Sequence, residues 1–252
     1  RQIPVEARRF AAEHDLRIVG IDRPGIGSST PHLYGAMADF APDLEAVADE
    51  IGLDELIVIG LSGGGPYALA AGQALPGRVK AVGVLGGVAP TVGPDAIDGG
   101  LVALGKRLSP LIAIGRVPIG IGLTGAIRVI KPLASPGLDL FARLSPAGDR
   151  ALLERPEFKA MFLDDLLNGS RKQISAPLAD VLLFSRHWGF DLADVKVPVH
   201  WWHGDADHII PFGHGVHAVT RLPDAQLHVL PGESHLAGLG AGEEILVTLL
   251  EV

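Results

Sequence analysis

The sequence contains no cysteine, which excludes disulfides, thiolate nucleophiles and sulfur-ligated metals. That absence leaves the redox compartment open and is compatible with the cytoplasm, the compartment expected. No signal-peptide pattern is visible, and no uninterrupted apolar run is long enough to span a bilayer. There is no internal repeat and no low-complexity tract. Nor is there an excess of positive charge: the formal net charge is −8, which argues against nucleic acid as a partner. The first residue is Arg1 rather than Met, so the expectation is that further residues precede it.

What is present is a chain of 252 residues, 48% of them hydrophobic. That is enough to bury a large core, in one α/β domain carrying an insertion or in two domains. The most informative stretch runs from Glu55 to Ala70. Leu56 to Leu61 is apolar and β-branched, as suits a strand covered on both faces. A helix follows, and Ser62 sits at the turn between them in Gly60-Leu61-Ser62-Gly63-Gly64. This is the Gly-x-Ser-x-Gly pattern of a nucleophile elbow. Side chains have no room beside the serine, so glycine is required there. The turn lifts the hydroxyl above the sheet edge and sets the Gly63 N–H at a helix start, where developing negative charge is stabilised.

On these residues the chain resembles the α/β-hydrolases. Around the elbow, Leu16–Ile21 reads as a strand, Asp43–Ile51 as an amphipathic helix and Val79–Leu85 as another strand. Strand and helix alternate as they do in a mostly parallel sheet with helices on both faces. Asp22-Arg23-Pro24-Gly25-Ile26-Gly27-Ser28-Ser29 lacks the third glycine and the lysine of a nucleotide loop. It resembles instead the Asp-x-Pro-Gly-x-Gly-x-Ser turn of the family, with a catalytic Asp22 as the lesser alternative. From Pro90 to about Val195 the rhythm stops, and helical patterns such as Ala147–Leu167 and Ala176–Phe184 take over. The resemblance implies a helical cap at 91–194, inserted before the strand that carries the acid, in a core made of 1–90 and 195–252. The resemblance also implies early strands of the fold, expected ahead of Arg1.

A serine hydroxyl needs a base, usually a histidine held by a carboxylate. The family order is serine, acid, histidine, each on a loop after a strand. Ser62, Asp207 and His235 satisfy it: Asp207 lies in Gly204-Asp205-Ala206-Asp207 after the strand Val197–His203, and His235 in Pro231-Gly232-Glu233-Ser234-His235 after Ala225–Leu230. Asp205 is the rival acid, and Asp207 is preferred on its place in the family's turn. Gly63 supplies one oxyanion donor. The resemblance implies a second donor, often marked by His-Gly and expected upstream of residue 1, because His203-Gly204 lies on the wrong loop.

Two further features stand out. Between Gly99 and Leu138 there is no Asp or Glu, yet Lys106, Arg107, Arg116, Arg128 and Lys131 are present. Such a segment could face an acyl chain, an anionic substrate or a membrane; packed short helices with their basic ends in water are favoured, since the Pro and Gly spacing argues against one long helix. His200, His203, His208, His214 and His217 crowd around Asp205 and Asp207, but no His-Glu-x-x-His accompanies them and no metal is expected. The expected activity is a cofactor-free serine hydrolase acting on a small-molecule ester, or on a thioester or small amide. A perhydrolase or C–C hydrolase is a variant of it. A non-catalytic binding protein for an apolar ligand and a docking module are the other classes, and the oligomeric state is left open.

Overall fold

The computed structural model describes residues 2–168 and 175–252. In chain order it holds α1 (Val5–Glu13), α2 (Phe40–Glu50), β1 (Leu56–Leu61), α3 (Gly65–Ala74) and β2 (Val79–Leu85). Five helices follow before the next strand: α4 (Gly100–Ile130), α5 (Ala134–Leu144), α6 (Ala147–Glu154), α7 (Pro156–Asn168) and α8 (Ser175–Phe184). The chain closes with β3 (Val199–Gly204), α9 (Gly213–Val219), β4 (Ala225–Leu230), α10 (Ala237–Gly240) and α11 (Gly242–Leu250).

The four strands form one parallel sheet in the order β1-β2-β3-β4. β2 is buried throughout except at Lys80, because parallel strands with helical crossovers are covered on both faces. The strand period of two sends alternate side chains to opposite faces. Trp201 thus enters the main core with Leu69, Val82 and Trp188, while Trp202 enters a smaller core with Ile245 and Leu249 of α11. Helix α3 is buried from Gly65 to Gly72, as expected of a helix that is apolar all round. The helices between β2 and β3 have their own cluster of Ala142, Leu152, Leu153 and Phe158, completed by Leu236 from beyond β4.

The structure departs from the sequence expectations at three places. Residues 16–21 form no strand: Arg17, Val19 and Gly20 are exposed, and the Leu16 N–H turns back to the Ala11 carbonyl. A strand needs a ladder partner, and among the described residues β1, on the sheet edge, pairs only with β2. The helix expected over 147–167 is two helices. Arg155, which precedes Pro156, takes an extended ψ of 123°, since a proline ring disfavours helical backbone one residue earlier.

Finally, 100–130 is one helix of 31 residues despite Pro110 and Pro118 within it. Each proline strips an amide from the carbonyl four residues before it. The Lys106 carbonyl regains a donor from the Ser109 hydroxyl at 2.8 Å, and Ile114, whose carbonyl loses the other amide, is 90% exposed. No helix among the described residues is long and apolar enough to cross a membrane.

Candidate active site

Ser62, Asp207 and His235 follow the C-terminal ends of β1, β3 and β4, where an open parallel sheet forms its ligand crevice. The β1–α3 turn is tight enough to force Ser62 to φ +54°, a left-handed conformation that only a strongly constrained non-glycine residue keeps. At Gly60 a Cβ would stand against the Gly64 carbonyl, with its carbon at 2.5 Å and the Gly65 nitrogen at 2.8 Å. Only a residue without a side chain lets the chain fold back so closely. Gly63 lies in the short 3₁₀ turn Ser62–Gly64 that runs into α3, among the leading amides that a helix leaves unpaired. The second oxyanion donor, expected ahead of Arg1, lies outside the described residues.

The three side chains make one continuous hydrogen-bond chain. His235 Nε2 is 2.9 Å from Ser62 Oγ, and His235 Nδ1 is 2.7 Å from Asp207 Oδ2. The carboxylate can only accept, so Nδ1 carries the proton and the Nε2 lone pair faces the serine hydroxyl. Asp207 and His235 are both buried, whereas Ser62 is half-buried. Asp207 Oδ1 accepts from the Ile209 and Ile210 amides at 2.8 and 2.9 Å. Burial alone would raise the Asp207 carboxyl, but hydrogen bonds from His203, His235 and the Ile210 amide more than offset it and hold it well below the usual carboxylate range. The rival Asp205 is elsewhere: exposed, it accepts from the Gly232 amide at 2.6 Å and ties the exits of β3 and β4 together.

Two contributors have roles that the sequence did not indicate: His203, weighed there as a metal ligand, and Gly86, not singled out at all. His203 accepts from Trp201 Nε1 at 3.1 Å and donates Nε2–H to the Ile210 carbonyl at 2.9 Å, lying 3.4 Å from Asp207. It braces the acid rather than completing a metal site. Gly86, at φ +53°, lies beneath the pair; a Cβ there would be 3.3 Å from His235 Nδ1 and 3.5 Å from Asp207 Oδ2. The Gly86-Gly87 pair that follows β2 was the available signal for it.

The other singled-out residues disperse. Asp22 stays within its own turn, its carbonyl accepting from Ser29 Oγ at 2.5 Å and its carboxylate from the Ser28 amide at 3.3 Å. His214 accepts from the Ala89 amide, and burial followed by the nearby His203 and His217 holds it down to about 4. His200 pairs with His228 at 2.9 Å, and His217 binds the Asp95 carbonyl at 2.9 Å. Among the described residues no three His, Asp or Glu side chains converge as metal ligands would. Of the basic segment, Lys106 reaches the Thr91 carbonyl and Asp98, Arg107 and Lys131 are exposed, and the side chains of Arg116 and Arg128 lie outside the described residues.

A cavity of about 280 Å³ lies between the helical insertion and the core, lined by Leu33, Tyr34 and Tyr67 below and by Ile114, Leu183 and Arg186 above. Beside it is an ionic brace. The Arg23 guanidinium lies 4.3 Å over the Tyr67 ring and 2.9 Å from Asp180 of α8, which also accepts from the Tyr67 hydroxyl at 2.6 Å. Helix α8 also reaches the elbow, where the Phe184 ring fills the space that a Gly63 side chain would need.

The profile of the α/β hydrolase fold family matches residues 6–104, a span that includes Ser62 but neither Asp207 nor His235. A non-heme haloperoxidase of Rhodococcus erythropolis is 27% identical over 232 residues, covering 90% of this chain and 78% of that protein. An esterase structure from Rhodococcus sp. ECU1013 superposes with a TM-score of 0.64 at 22% identity, over 96% of this chain and 84% of the other. A bromoperoxidase structure from Bacillus anthracis gives 0.65 at 20%, over 99% and 88%.

Proposed function

We propose that this chain, whose fold is that of the α/β-hydrolases, is a serine hydrolase that cleaves a carboxylic ester through an acyl-enzyme on Ser62. The observation that carries the reading is the unbroken path from Ser62 Oγ through His235 to Asp207, at 2.9 and 2.7 Å. In this reading His235 Nε2 takes the serine proton as Oγ attacks the ester carbonyl carbon. The tetrahedral oxyanion faces the Gly63 N–H. Its collapse breaks the bond to the alcohol oxygen, which receives the proton from His235. A water then gives a proton to the same nitrogen and attacks the acyl carbon. The acid leaves, and Ser62 regains its hydrogen. Asp207 keeps Nδ1 protonated and stabilises the imidazolium formed twice per turnover.

Residues 91–194 act in this reading as a cap over the core of 1–90 and 195–252, and the cavity beneath α8 takes the apolar part of the substrate. Thioesters and small amides obey the same chemistry. The haloperoxidase-named relative and the bromoperoxidase-named structure support a second reading, in which hydrogen peroxide replaces water and the acyl group leaves as a peracid.

A fluorophosphonate probe followed by intact-mass measurement tests both readings. A single adduct is expected on the wild-type chain and none on Ser62→Ala. A p-nitrophenyl ester series with and without peroxide then separates hydrolysis from peracid formation. An unlabelled Ser62, together with saturable binding of an apolar ligand, would move the chain to the class of binding proteins.

A further inference from the structure

The insertion touches the histidine loop more closely than a lid requires. Asp149 of α6 is 1% exposed, and a buried carboxylate is costly unless it is hydrogen-bonded. Its partners are the two residues that flank His235. The Leu236 amide donates to Asp149 Oδ1 at 3.1 Å, and the carboxylate also interacts with the Ser234 side chain. Alongside, the Leu236 side chain is buried among Leu152, Leu153 and Phe158 of α6 and α7. At Gly148 there is no side chain, and the Glu233 carboxylate occupies the space where one would be. Residues 233–236 therefore lie flat on α6 from both sides of the base.

We infer that Asp149 is a positioning residue, holding His235 in register with Ser62 and Asp207 from the insertion side. This rests on the serine-hydrolase reading above. The imidazole must satisfy two contacts at once, at 2.9 and 2.7 Å, with Ser62 and Asp207 on different strands. Its ring angle is set by the loop backbone, and the Leu236 amide belongs to the next residue of that backbone. Burial, partly offset by the Leu236 amide and Ser234, pushes the Asp149 carboxyl above its ordinary value, so the carboxylate sits there at a cost that those bonds must offset. No Asp149 atom needs to touch the substrate for this role.

The test compares Asp149→Ala with Asp149→Asn, the second keeping an acceptor for the Leu236 amide. Rates are taken per active site, counted by fluorophosphonate stoichiometry. Misplacing a reacting group by about 1 Å costs about 10²-fold, so Asp149→Ala should lose about that in kcat with KM within about threefold, and Asp149→Asn should recover most of it. The nitrogen shifts of His235, read by NMR on unreacted protein, should move in the alanine variant and return in the asparagine variant. That arm needs no turnover: if wild-type Ser62 fails to label, the serine-hydrolase reading falls while the NMR comparison still decides whether Asp149 sets His235. Unchanged His235 shifts in both variants, or a kcat per site within twofold of wild type in Asp149→Ala, would overturn the inference. Should the alanine variant not fold, an Asp149→Asn protein with displaced His235 shifts and a lowered kcat would overturn it as well, because the acceptor is retained.

Discussion

Replacing Asp207 by Asn keeps the shape of the site and reverses one hydrogen bond. In the native protein Oδ1 is committed to the Ile209 and Ile210 amides at 2.8 and 2.9 Å, and Oδ2 accepts from His235 at 2.7 Å. An asparagine can put its oxygen at only one of these places. With the oxygen toward His235, its NH₂ would confront two amide donors, and leaving the buried Ile210 amide unpaired alone costs about 1–3 kcal/mol. The amide oxygen therefore stays with the loop and the NH₂ faces His235 Nδ1. The imidazole answers by moving its proton to Nε2, which now points a hydrogen at Ser62 Oγ and can no longer take one. The expected loss is about 10⁴-fold in kcat, or about 5.4 kcal/mol of transition-state stabilisation. Release of p-nitrophenol from a short-chain ester measures it, with thermal unfolding alongside to show that the variant is folded. Asp205→Asn is the paired control, expected within about threefold of wild type because an exposed loop hydrogen bond contributes little. An Asp207→Asn protein within tenfold of wild type would refute the reasoning, and a larger loss at Asp205 would transfer the acid's role there.

Three further outcomes are expected. Ser62→Gly and Ser62→Ala both remove the hydroxyl, but at φ +54° glycine should be the more stable by about 1 kcal/mol, read as a higher urea midpoint; equal midpoints would mean that the turn is unstrained. Gly86→Ala forces a side chain into positive φ and against His235, and should cost about 1–3 kcal/mol in stability together with most of the activity. The half-buried pair His200–His228 gives a pH dependence whose sign is fixed. Burial lowers both imidazoles below their ordinary value, and His200 lowers His228 further, so the unfolded chain binds protons first. Their stabilising share is full above about pH 6.5 and declines as the pH falls through that value. Urea unfolding at pH 7.5 and 5.5 should show a smaller difference in His228→Gln than in wild type.

The elbow was legible because its requirement is local: Gly60, Ser62 and the flanking strand and helix are fixed by backbone sterics within a few residues. The order of Ser62, Asp207 and His235 came from the resemblance to the α/β-hydrolases, each residue following an apolar run that reads as a strand. Leu16–Ile21 has the same composition, but pairing is not local, and no partner beside it is described. The prolines of α4 misled because their cost depends on whether the freed carbonyls find donors. Ser109 supplies one here, and the other lies at the exposed Ile114. Asp149 gave no signal, since a charged residue beside Arg150 on a short amphipathic helix reads as a wet surface until the helix is seen lying on the histidine loop.

Ser62 and His235 are separated by 173 residues of chain. Synthesis at about 5–20 residues per second places roughly 9–35 s between the emergence of the two. Throughout that interval the serine is an ordinary alcohol, without base or carboxylate, and the nascent chain cannot acylate itself. On the serine-hydrolase reading proposed above, reactivity arrives with β4 and the loop that α6 holds. On that reading turnover reports on β4 and its exit loop as much as on the elbow: a molecule that has folded the elbow but not the segment from β3 to His235 would be chemically silent.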